Sequence, residues 1–457
     1  MGEEGMQVRR LSESGGVEVE GVDLSHPRTS TEDTALKRLY DEHGLVVFRG
    51  QRLTKQQLVD AGAAFGGTMI DPPATVRDPE VPGIIVISTR GTTGDVVPKD
   101  AEALVGDLEW HTDQGYVPAP NRGKILYAVQ VPQEGGKTGF IDNQLTYAAL
   151  PADLQRQIEG LHVIQSWNRA EQYLARNKDY RIGGDKEMVV GRFADMIYPL
   201  VYEHPITGAK VLNLVPLYDA GILEMPGPDG AALLETLKGH VMQPRFQYWH
   251  QYRVGDAVIW DNWRSLHAAS GTPGKYVRTL WSIVINSGPD LGRPLPQEPA
   301  GRAKAARMAV VGAKSDEPLA CRISKLYLHY VKAQDVTGLR DLFPSGVNYI
   351  GPAGVRVSDP AQIAAGYERG FKNMGKPWQF KLEQALPFGS NGCLLEFGHK
   401  TNEPGADFTL SAVDHIEVNA EGQITRFLPF FSSTEIPRVL ANINRHQAAE
   451  PEMASAS

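Results

Sequence analysis

Cysteine is nearly absent from this sequence, since only Cys321 and Cys393 occur among its 457 residues. Two thiols can form neither a disulfide framework nor a four-cysteine zinc site, and a reducing compartment is the simplest explanation. Long apolar runs are also missing, because none approaches the roughly 20 residues that a membrane-spanning helix needs. The polar start MGEEGMQVRRLSESGG has no apolar core like that of a secretory signal. We therefore expect a cytoplasmic protein without a membrane partner.

An excess of basic charge is missing as well. The 46 Lys and Arg residues are outnumbered by 54 Asp and Glu residues, which gives a net charge of −8. Proteins that bind nucleic acids neutralise phosphates with basic patches, so nucleic acid is not an expected partner. The remaining composition, with 42% hydrophobic and 22% charged residues, is that of an ordinary globular protein. The length favours two or three domains.

The composition and the predicted elements of the chain change near residue 288. Residues 1–288 combine many short strand-like runs with turn signals and a few helices, which favours a double-sheet jelly roll with helical decoration. Residues 289–316 are rich in Pro, Gly, Ala and basic residues, so we predict a linker with room for a short helix. A second, α+β domain is predicted over 317–437 from helical periodicity followed by alternating strands. Residues 438–457 read as a polar tail.

The stretch LEWHTDQGYV carries His111 and Asp113 on either side of one threonine. On a strand, residues i and i+2 face the same side, so this imidazole and carboxylate could hold one cation. Such a triplet is weak evidence for a metal site on its own, because it often arises by chance. Two histidines and one carboxylate with open positions are typical of non-haem Fe(II) oxygenases, and His267 in WDNWRSLHAA could supply the second imidazole.

Two further residues stand at suggestive distances from these ligands. Thr138 in GGKT follows His111 by 27 residues, and Arg278 follows His267 by 11. A guanidinium that faces a small barrel interior is costly unless it binds an anion. Taken singly, each of these residues is more often structural, as a surface histidine, a turn threonine or a salt-bridging arginine. The interpretation as a metal site therefore depends on the occurrence of all these residues together at these spacings.

The motifs WHTD, GGKT, WDNW and LHAA, with the arginine beyond them, resemble the TauD/TfdA family of Fe(II)- and 2-oxoglutarate-dependent dioxygenases over about residues 15–288. The resemblance implies that His111, Asp113 and His267 bind the iron. Arg278 would pair with the distal carboxylate of 2-oxoglutarate, and Thr138 would hydrogen-bond to it. With O2 as second co-substrate, such an enzyme oxidises an unactivated C–H bond of a small-molecule substrate by hydroxylation, desaturation or oxidative cyclisation, and releases succinate and CO2.

The resemblance also bears on the substrate. Ser282 stands where sulfonate-hydroxylating members carry a second arginine, so a sulfonate held in that way is not expected. Asp107 and Asp71 stand where neutral side chains contact the substrate in those enzymes. We therefore expect a substrate with an amine, such as an amino acid, although Asp107 could equally cap a turn. Tyr116 and Asn213 are further candidate pocket residues.

The second domain resembles the SnoaL-like cone fold of the nuclear-transport-factor-like superfamily, mainly through its ending VDHIEVNAEGQITRFLPFF. Such domains form pockets and often dimerise, so the resemblance implies a homo-oligomer, with this domain as the candidate dimer interface. Asp414 and His415 suggest acid–base chemistry, but neighbours on a strand face opposite sides. Two hypotheses follow: a structural second domain, or a bifunctional enzyme whose second domain catalyses a following cyclisation or isomerisation. A third, a non-enzymatic binding protein, is disfavoured by the complete ligand set.

Overall fold

Two units share the chain and interleave along it. The computed structural model describes residues 6–70, 77–90, 101–170, 193–351, 354–373, 379–400 and 409–431. Unit 1 comprises Met1–Glu159, Val163–Ala220 and Glu235–Leu295, and unit 2 comprises Gly160–His162, Gly221–Leu234 and Pro296–Ser457. Two short segments of the first 288 residues therefore belong to the second unit. Within the described residues, no helix is long and apolar enough to cross a membrane.

Two facing sheets build unit 1, with strands numbered along the chain. The larger sheet has eight strands: β1 (Gln7–Ser12), β2 (Gly15–Glu20), β3 (Leu45–Phe48), β4 (Thr68–Met69), β5 (Ile85–Ser88), β7 (Asn121–Gln130), β15 (Ala257–Asp261) and β17 (Thr279–Ser287). Their order is β1-β2-β3-β15-β7-β17-β4, with β5 also on β17. The smaller sheet has four strands: β6 (Leu104–His111), β8 (Thr138–Asp142), β14 (Gln247–His250) and β16 (Ser265–Pro273). Their order is β14-β8-β16-β6.

Inward side chains of both sheets form one buried cluster, which includes Leu126, Ala128 and Leu280 from the larger sheet and Phe140 from the smaller. These side chains are buried together because alternate residues of each strand point to the same face of the sheet. Two smaller groups of strands complete the set. One sheet joins β13 (Asp219–Ile222), β9 (His162–Gln165), β10 (Met196–Pro199) and β18 (Arg293–Pro294), and a hairpin joins β11 (Val201–Glu203) to β12 (Lys210–Leu212). The predicted double-sheet jelly roll is present.

Capping residues fix the starts of the first two helices. Helix α1 (Ser30–His43) begins after Thr29, which forms a capping box with Glu32, and it ends at Gly44 with φ 68°. Helix α2 (Lys55–Ala61) begins after Thr54, which caps in the same way with Gln57. Both helices pack on the outer face of the larger sheet, where a second buried cluster lies. Among the described residues of this part of the chain, the further α-helices are α3 (Asn143–Ala148), α4 (Ala152–Ile158) and α5 (Pro228–Val241).

In its described residues, unit 2 combines the first part of α5 and four further helices with one sheet. The further helices are α6 (Pro299–Gly312), α7 (Leu319–Ala333), α8 (Val336–Leu342) and α9 (Pro360–Asn373). The strands are β19 (Asn348–Ile350), β20 (Arg356–Val357), β21 (Gln379–Phe388), β22 (Gly392–Lys400), β23 (Thr409–Val418) and β24 (Ile424–Phe431), in the order β20-β19-β24-β23-β22-β21. Half of the predicted linker, which was expected to hold a short helix, is helix α6. Its small side chains Ala303, Ala306 and Ala309 are buried. The SnoaL-like likeness stays a prediction, and the tail at 438–457 lies outside the described residues.

Candidate metal centre

His111, Asp113 and His267 converge at one end of the smaller sheet. Strands β6 and β16 are neighbours, and His111 pairs directly with His267, so both imidazoles lie on the same face. Their ring centroids are 4.1 Å apart, and His267 Nε2 lies 3.4 Å from Asp113 Oδ2. One ligand atom from each of the three residues lies within 4.8 Å of the others. The structure therefore brings together the three side chains that the sequence suggests.

Asp113 reaches this position by another route than the one predicted. Strand β6 ends at His111, so Asp113 does not lie on the strand, and the i, i+2 argument does not apply. Instead, Asn262 clamps its backbone: Asn262 Oδ1 accepts from Asp113 N at 2.8 Å, and Asn262 Nδ2 donates to Asp113 O at 2.9 Å. Buried Asp261 holds the same turn, since its carboxylate accepts from the backbone of Trp263 at 3.1 Å and pairs with His204 at 3.0 Å.

The protonation states suit a divalent cation. Burial lowers the pKa of His111. Burial and the neighbouring His111 lower the pKa of His267. Both imidazoles are therefore neutral. The Nδ1 of His111 lies 2.7 Å from the carbonyl of Glu109, which leaves Nε2 free to bind a metal. Burial raises the pKa of Asp113, but the ammonium of Lys124 outweighs this effect and holds that pKa well below its usual range.

Two buried polar atoms of the centre lack hydrogen-bond partners among the described residues. Asp113 Oδ2 and His267 Nδ1 are both buried without a hydrogen-bond partner in the described part of the chain. A buried carboxylate oxygen without a partner is costly unless a cation completes its environment. Two neutral imidazoles and one carboxylate therefore fit a metal ion, and they leave further coordination positions open.

Arg278 and Thr138 both contact Tyr252, a residue that no sequence motif marks. The Tyr252 hydroxyl donates to Thr138 Oγ1 at 3.0 Å, and the Arg278 guanidinium lies 5.4 Å from the centre of the Tyr252 ring. Burial raises the pKa of Tyr252 to about 12, so its hydroxyl stays a donor. Arg278 Nε donates to the carbonyl of Gly136 at 3.0 Å. No carboxylate among the described residues pairs with Arg278, which leaves this cation available to an anion.

The register of β6 turns Asp107 away from the metal centre. His111 pairs with His267 whereas Asp107 pairs with Ser270, because a bulge inserts one extra residue into β6 between the two pairs. Ser270 stands three residues from His267 on β16, so Ser270 and Asp107 lie on the opposite face of the sheet. The expectation that Asp107 contacts the substrate therefore needs correction. Asp71 lies outside the described residues.

The remaining predicted pocket residues lie in different places. Ser282 is fully buried on β17, and its hydroxyl has no partner in the described part of the chain. Asn213 lines a small cleft together with Thr112, Gln165 and Asn262, and none of the three metal ligands lines that cleft. Tyr116 lies in a group of aromatic rings.

Tyr116 belongs to an aromatic cluster that follows Asp113 in the chain. Its ring centroid lies 4.4 Å from that of Trp167, 4.4 Å from that of Phe193 and 6.0 Å from that of Tyr218. Tyr218 also approaches the backbone at Gly115, where an added Cβ would lie 3.0 Å from its ring. The cluster therefore forms an apolar wall next to the turn that carries Asp113.

Residues 7–284 match the family model described as taurine catabolism dioxygenase TauD, TfdA family. The chain belongs to the TauD/TfdA family. It is 35% identical to an alpha-ketoglutarate-dependent 2,4-dichlorophenoxyacetate dioxygenase of Cupriavidus pinatubonensis, over 54% of this chain and 86% of that protein. It is 25% identical to pentalenolactone F synthase of Streptomyces arenae, over 59% of this chain and 91% of that protein. Alpha-ketoglutarate is another name for 2-oxoglutarate.

The fold agrees with this membership. A crystal structure of a taurine dioxygenase from Burkholderia xenovorans superposes with a TM-score of 0.50 and 26% identity, over 62% of this chain and 92% of that one. The predicted reaction class, a 2-oxoglutarate-dependent dioxygenase, is thereby confirmed for this TauD/TfdA member. The match ends at residue 284, so it does not reach the second domain predicted at 317–437.

Proposed function

We propose that this TauD/TfdA member binds Fe(II) through His111, Asp113 and His267, and oxidises an unactivated C–H bond of a small molecule. The unpaired Asp113 Oδ2 between two neutral imidazoles is the observation that carries this proposal. Bound iron would supply the oxidation by O2, with 2-oxoglutarate converted to succinate and CO2. Arg278 and Thr138 would hold the distal carboxylate of 2-oxoglutarate. Arg278 has no carboxylate partner in the described part of the chain, and the Thr138 hydroxyl is fixed by Tyr252.

The structure supports a substrate with an aromatic or other apolar body rather than the amine expected from the acidic residues. Asp107 is one of the two acidic residues from which an amine was expected. It lies on the face of its sheet opposite to His111 and His267. The cluster of Tyr116, Trp167, Phe193 and Tyr218 offers instead an apolar surface beside the Asp113 turn. The relative from Cupriavidus is named for 2,4-dichlorophenoxyacetate, an aromatic acid, which points the same way.

Succinate formation tests the function. Purified protein with Fe(II), 2-oxoglutarate and air would be supplied with aryloxy acids, aromatic amino acids and aliphatic amines, with His111→Ala alongside. We expect succinate to rise with an aromatic compound and to stay at background in the variant. Succinate that rises only with aliphatic amines would overturn the substrate class but keep the reaction. Failure of the wild-type protein to bind Fe(II) would overturn the metal centre.

A second activity in unit 2 is favoured by a buried polar cluster. Asp414 on β23 is buried, and its Oδ2 has no hydrogen-bond partner in the described residues. Burial raises the pKa of Asp414 to about 8, which neighbouring Tyr327 lowers only in part. Three hydroxyls lie beside it in a row, since Tyr367 is 2.9 Å from Tyr327 and 3.4 Å from Tyr349. A protonated carboxyl with tyrosine hydroxyls is a donor set for a carbonyl oxygen that gains negative charge.

The alternative function is therefore a bifunctional enzyme, in which unit 2 cyclises or isomerises a carbonyl-bearing product of the oxidation. Asp414→Asn in the full chain would separate the two hypotheses, with exposed Asp316→Asn as the matched control. A bifunctional enzyme predicts unchanged succinate formation but a different final product in Asp414→Asn only. The same product from both variants would leave unit 2 with a structural role.

Unit 2 is also the proposed site of self-association. The β21-β22-β23-β24 ladder places Leu386, Phe388 and Phe430 on one face of its sheet, opposite to Asp414. All three side chains are exposed, at 45%, 51% and 55%. Exposed apolar side chains grouped on one face are typical of an interface, so we propose that a second copy of this chain covers them.

A further inference from the structure

Lys124 is a charged residue in an apolar row. It lies on β7, where Leu126 and Ala128 follow it at i+2 and i+4 and face the core between the two sheets. Its neighbours across the strands, Trp260 and Val284, are fully buried. The ladder thus fixes the Lys124 backbone and aims its side chain between the sheets, where an ammonium is costly unless it is paired.

The partner of Lys124 is the carboxylate of the metal centre. Lys124 Nζ lies 2.9 Å from Asp113 Oδ1, and both side chains are largely shielded from solvent, with 17% and 16% exposed. Within the described part of the chain, Lys124 pairs with no other carboxylate. A strong charge-assisted hydrogen bond therefore occupies one of the two oxygens of Asp113.

The two oxygens of Asp113 consequently have different environments. Oδ1 contacts the ammonium, whereas Oδ2 has no hydrogen-bond partner among the described residues and lies 3.4 Å from Nε2 of His267. We infer that Lys124 is a positioning residue, which holds Oδ1 and leaves Oδ2 as the single oxygen that Asp113 offers to the metal. This inference rests on the metal centre proposed above.

The difference between one and two oxygens matters for a site of this kind. A carboxylate can bind a cation through either one or both of its oxygens. Two histidines and a one-point carboxylate leave open positions for co-substrates, as this type of site requires. An Asp113 that bound through both oxygens would take one of those positions. Lys124 prevents this, in addition to the backbone clamp from Asn262.

Mn(II) provides a probe that does not depend on turnover. We would determine crystal structures of the wild-type protein and of Lys124→Met with Mn(II), and measure 2-oxoglutarate binding to both Mn(II)-loaded proteins by calorimetry. We expect one Asp113 oxygen on the metal in the wild type, with Lys124 on the other, and two oxygens in Lys124→Met. Affinity for 2-oxoglutarate should fall at least about tenfold, the usual effect of a lost outer-sphere partner.

Two control variants accompany Lys124→Met. Lys124→Gln keeps a hydrogen-bond donor without the charge, and it should restore one-oxygen binding and most of the affinity. Lys37→Met removes a lysine from a surface pair with Asp41 and should behave like the wild type. One-oxygen binding in Lys124→Met, or a wild-type structure with Lys124 away from Oδ1, would overturn the inference. A wild-type protein that binds no Mn(II) would instead contradict the metal centre itself.

Discussion

Arg278 is the residue whose chemistry can be tested most directly. Its guanidinium has no carboxylate partner in the described residues, while Nε is fixed on Gly136 and the ring of Tyr252 lies beneath it. If it binds 2-oxoglutarate, Arg278→Gln removes a charge-assisted hydrogen bond of about 1.5–3 kcal/mol, which corresponds to about 10- to 100-fold. We expect the KM for 2-oxoglutarate to rise by that factor while Mn(II) affinity stays unchanged, as measured by steady-state kinetics and metal titration.

The matched control for Arg278 is Arg245→Gln, which removes an exposed arginine of the same unit. It should leave both constants as in the wild type. An unchanged KM in Arg278→Gln would show that another group holds the co-substrate.

Asp414 links stability to pH in a defined direction. Its pKa is about 8 in the folded protein and near 3.8 when unfolded, so only the folded state holds this proton between those values. Stability from this group is therefore complete below about pH 4 and is lost as the pH rises through about 8. Asp414→Asn removes this loss. Relative to the wild type, the variant should gain at least about 1 kcal/mol between pH 5 and pH 8.5, since one pKa unit is about 1.4 kcal/mol.

Denaturant unfolding at both pH values, followed by a signal from unit 2, measures this difference. Asp316→Asn, which changes an exposed carboxylate of the same unit, should show no pH-dependent gain. A constant difference between Asp414→Asn and the wild type would mean that the carboxyl is ionised in the folded protein.

The residues of the metal centre were predictable to different degrees. His111, Asp113 and His267 could be identified because three spaced motifs restrict one another. Lys124 and Tyr252 could not, because each is an ordinary residue in an alternating strand until pairing brings it to a ligand. The sequence did contain a signal for Lys124. This residue lies two and four positions before apolar Leu126 and Ala128, so all three face the same side of the strand. A lysine in such an apolar row needs a charged or polar partner.

Strand packing in the larger sheet depends on one glycine. A Cβ at Gly123 on β7 would lie 2.2 Å from the carbonyl oxygen of Trp260 and 2.4 Å from the hydroxyl of Tyr40. Because the first contact is with the backbone of the paired strand β15, a side chain cannot be accommodated without separating the strands. We expect Gly123→Ala to lower the free energy of unfolding by about 1–3 kcal/mol or more, as overpacking does, measured by chemical denaturation.

Gly239 in α5 offers the opposite case, since a Cβ there would meet nothing within 4 Å. Gly239→Ala should stabilise the protein by up to about 1 kcal/mol through helix propensity alone. Equal effects of the two substitutions would show that β7 and β15 are not as close as described.

Elements themselves could be predicted well where local chemistry decides them. Thr54 caps α2 as its position before an apolar periodic run suggests. The bulge in β6 could not be predicted, because nothing local in Leu104–His111 marks the extra residue. That one residue reverses the face of Asp107 and removes it from the metal side. A register shift set by a distant strand thus changed a functional assignment that rested on spacing along one strand.

At the scale of the whole molecule, the division of the chain was the hardest feature to foresee. Composition suggested a break near residue 288, yet 160–162 and 221–234 belong to the second unit. Within that unit, Asp229 pairs with Lys332 at 2.6 Å and with His329 at 3.1 Å. Long-range pairs of this kind leave no trace in local composition. They also imply that truncation after residue 288 strips partners from Asp229, so point variants of the full chain are the better test of unit 2.

The exposed face of the unit 2 sheet leads to a prediction about the assembled protein. If a second copy covers Leu386, Phe388 and Phe430, the wild type should be a dimer in solution. Replacement of Leu386 and Phe388 by serine removes apolar area from this face, and burial stabilises by about 25 cal/mol for each Å². We expect the double variant to sediment as a monomer while it binds Mn(II) like the wild type, because the metal ligands all lie in unit 1.

Val355→Ser is the control, since this side chain is 61% exposed in the same unit but lies outside the β21–β24 ladder. It should remain dimeric, because loss of an exposed apolar side chain elsewhere does not touch the proposed interface. Analytical ultracentrifugation at several protein concentrations distinguishes the species by mass. A monomeric wild type, or a double variant as dimeric as the wild type, would assign this face some other role and leave the chemistry of unit 1 independent of assembly.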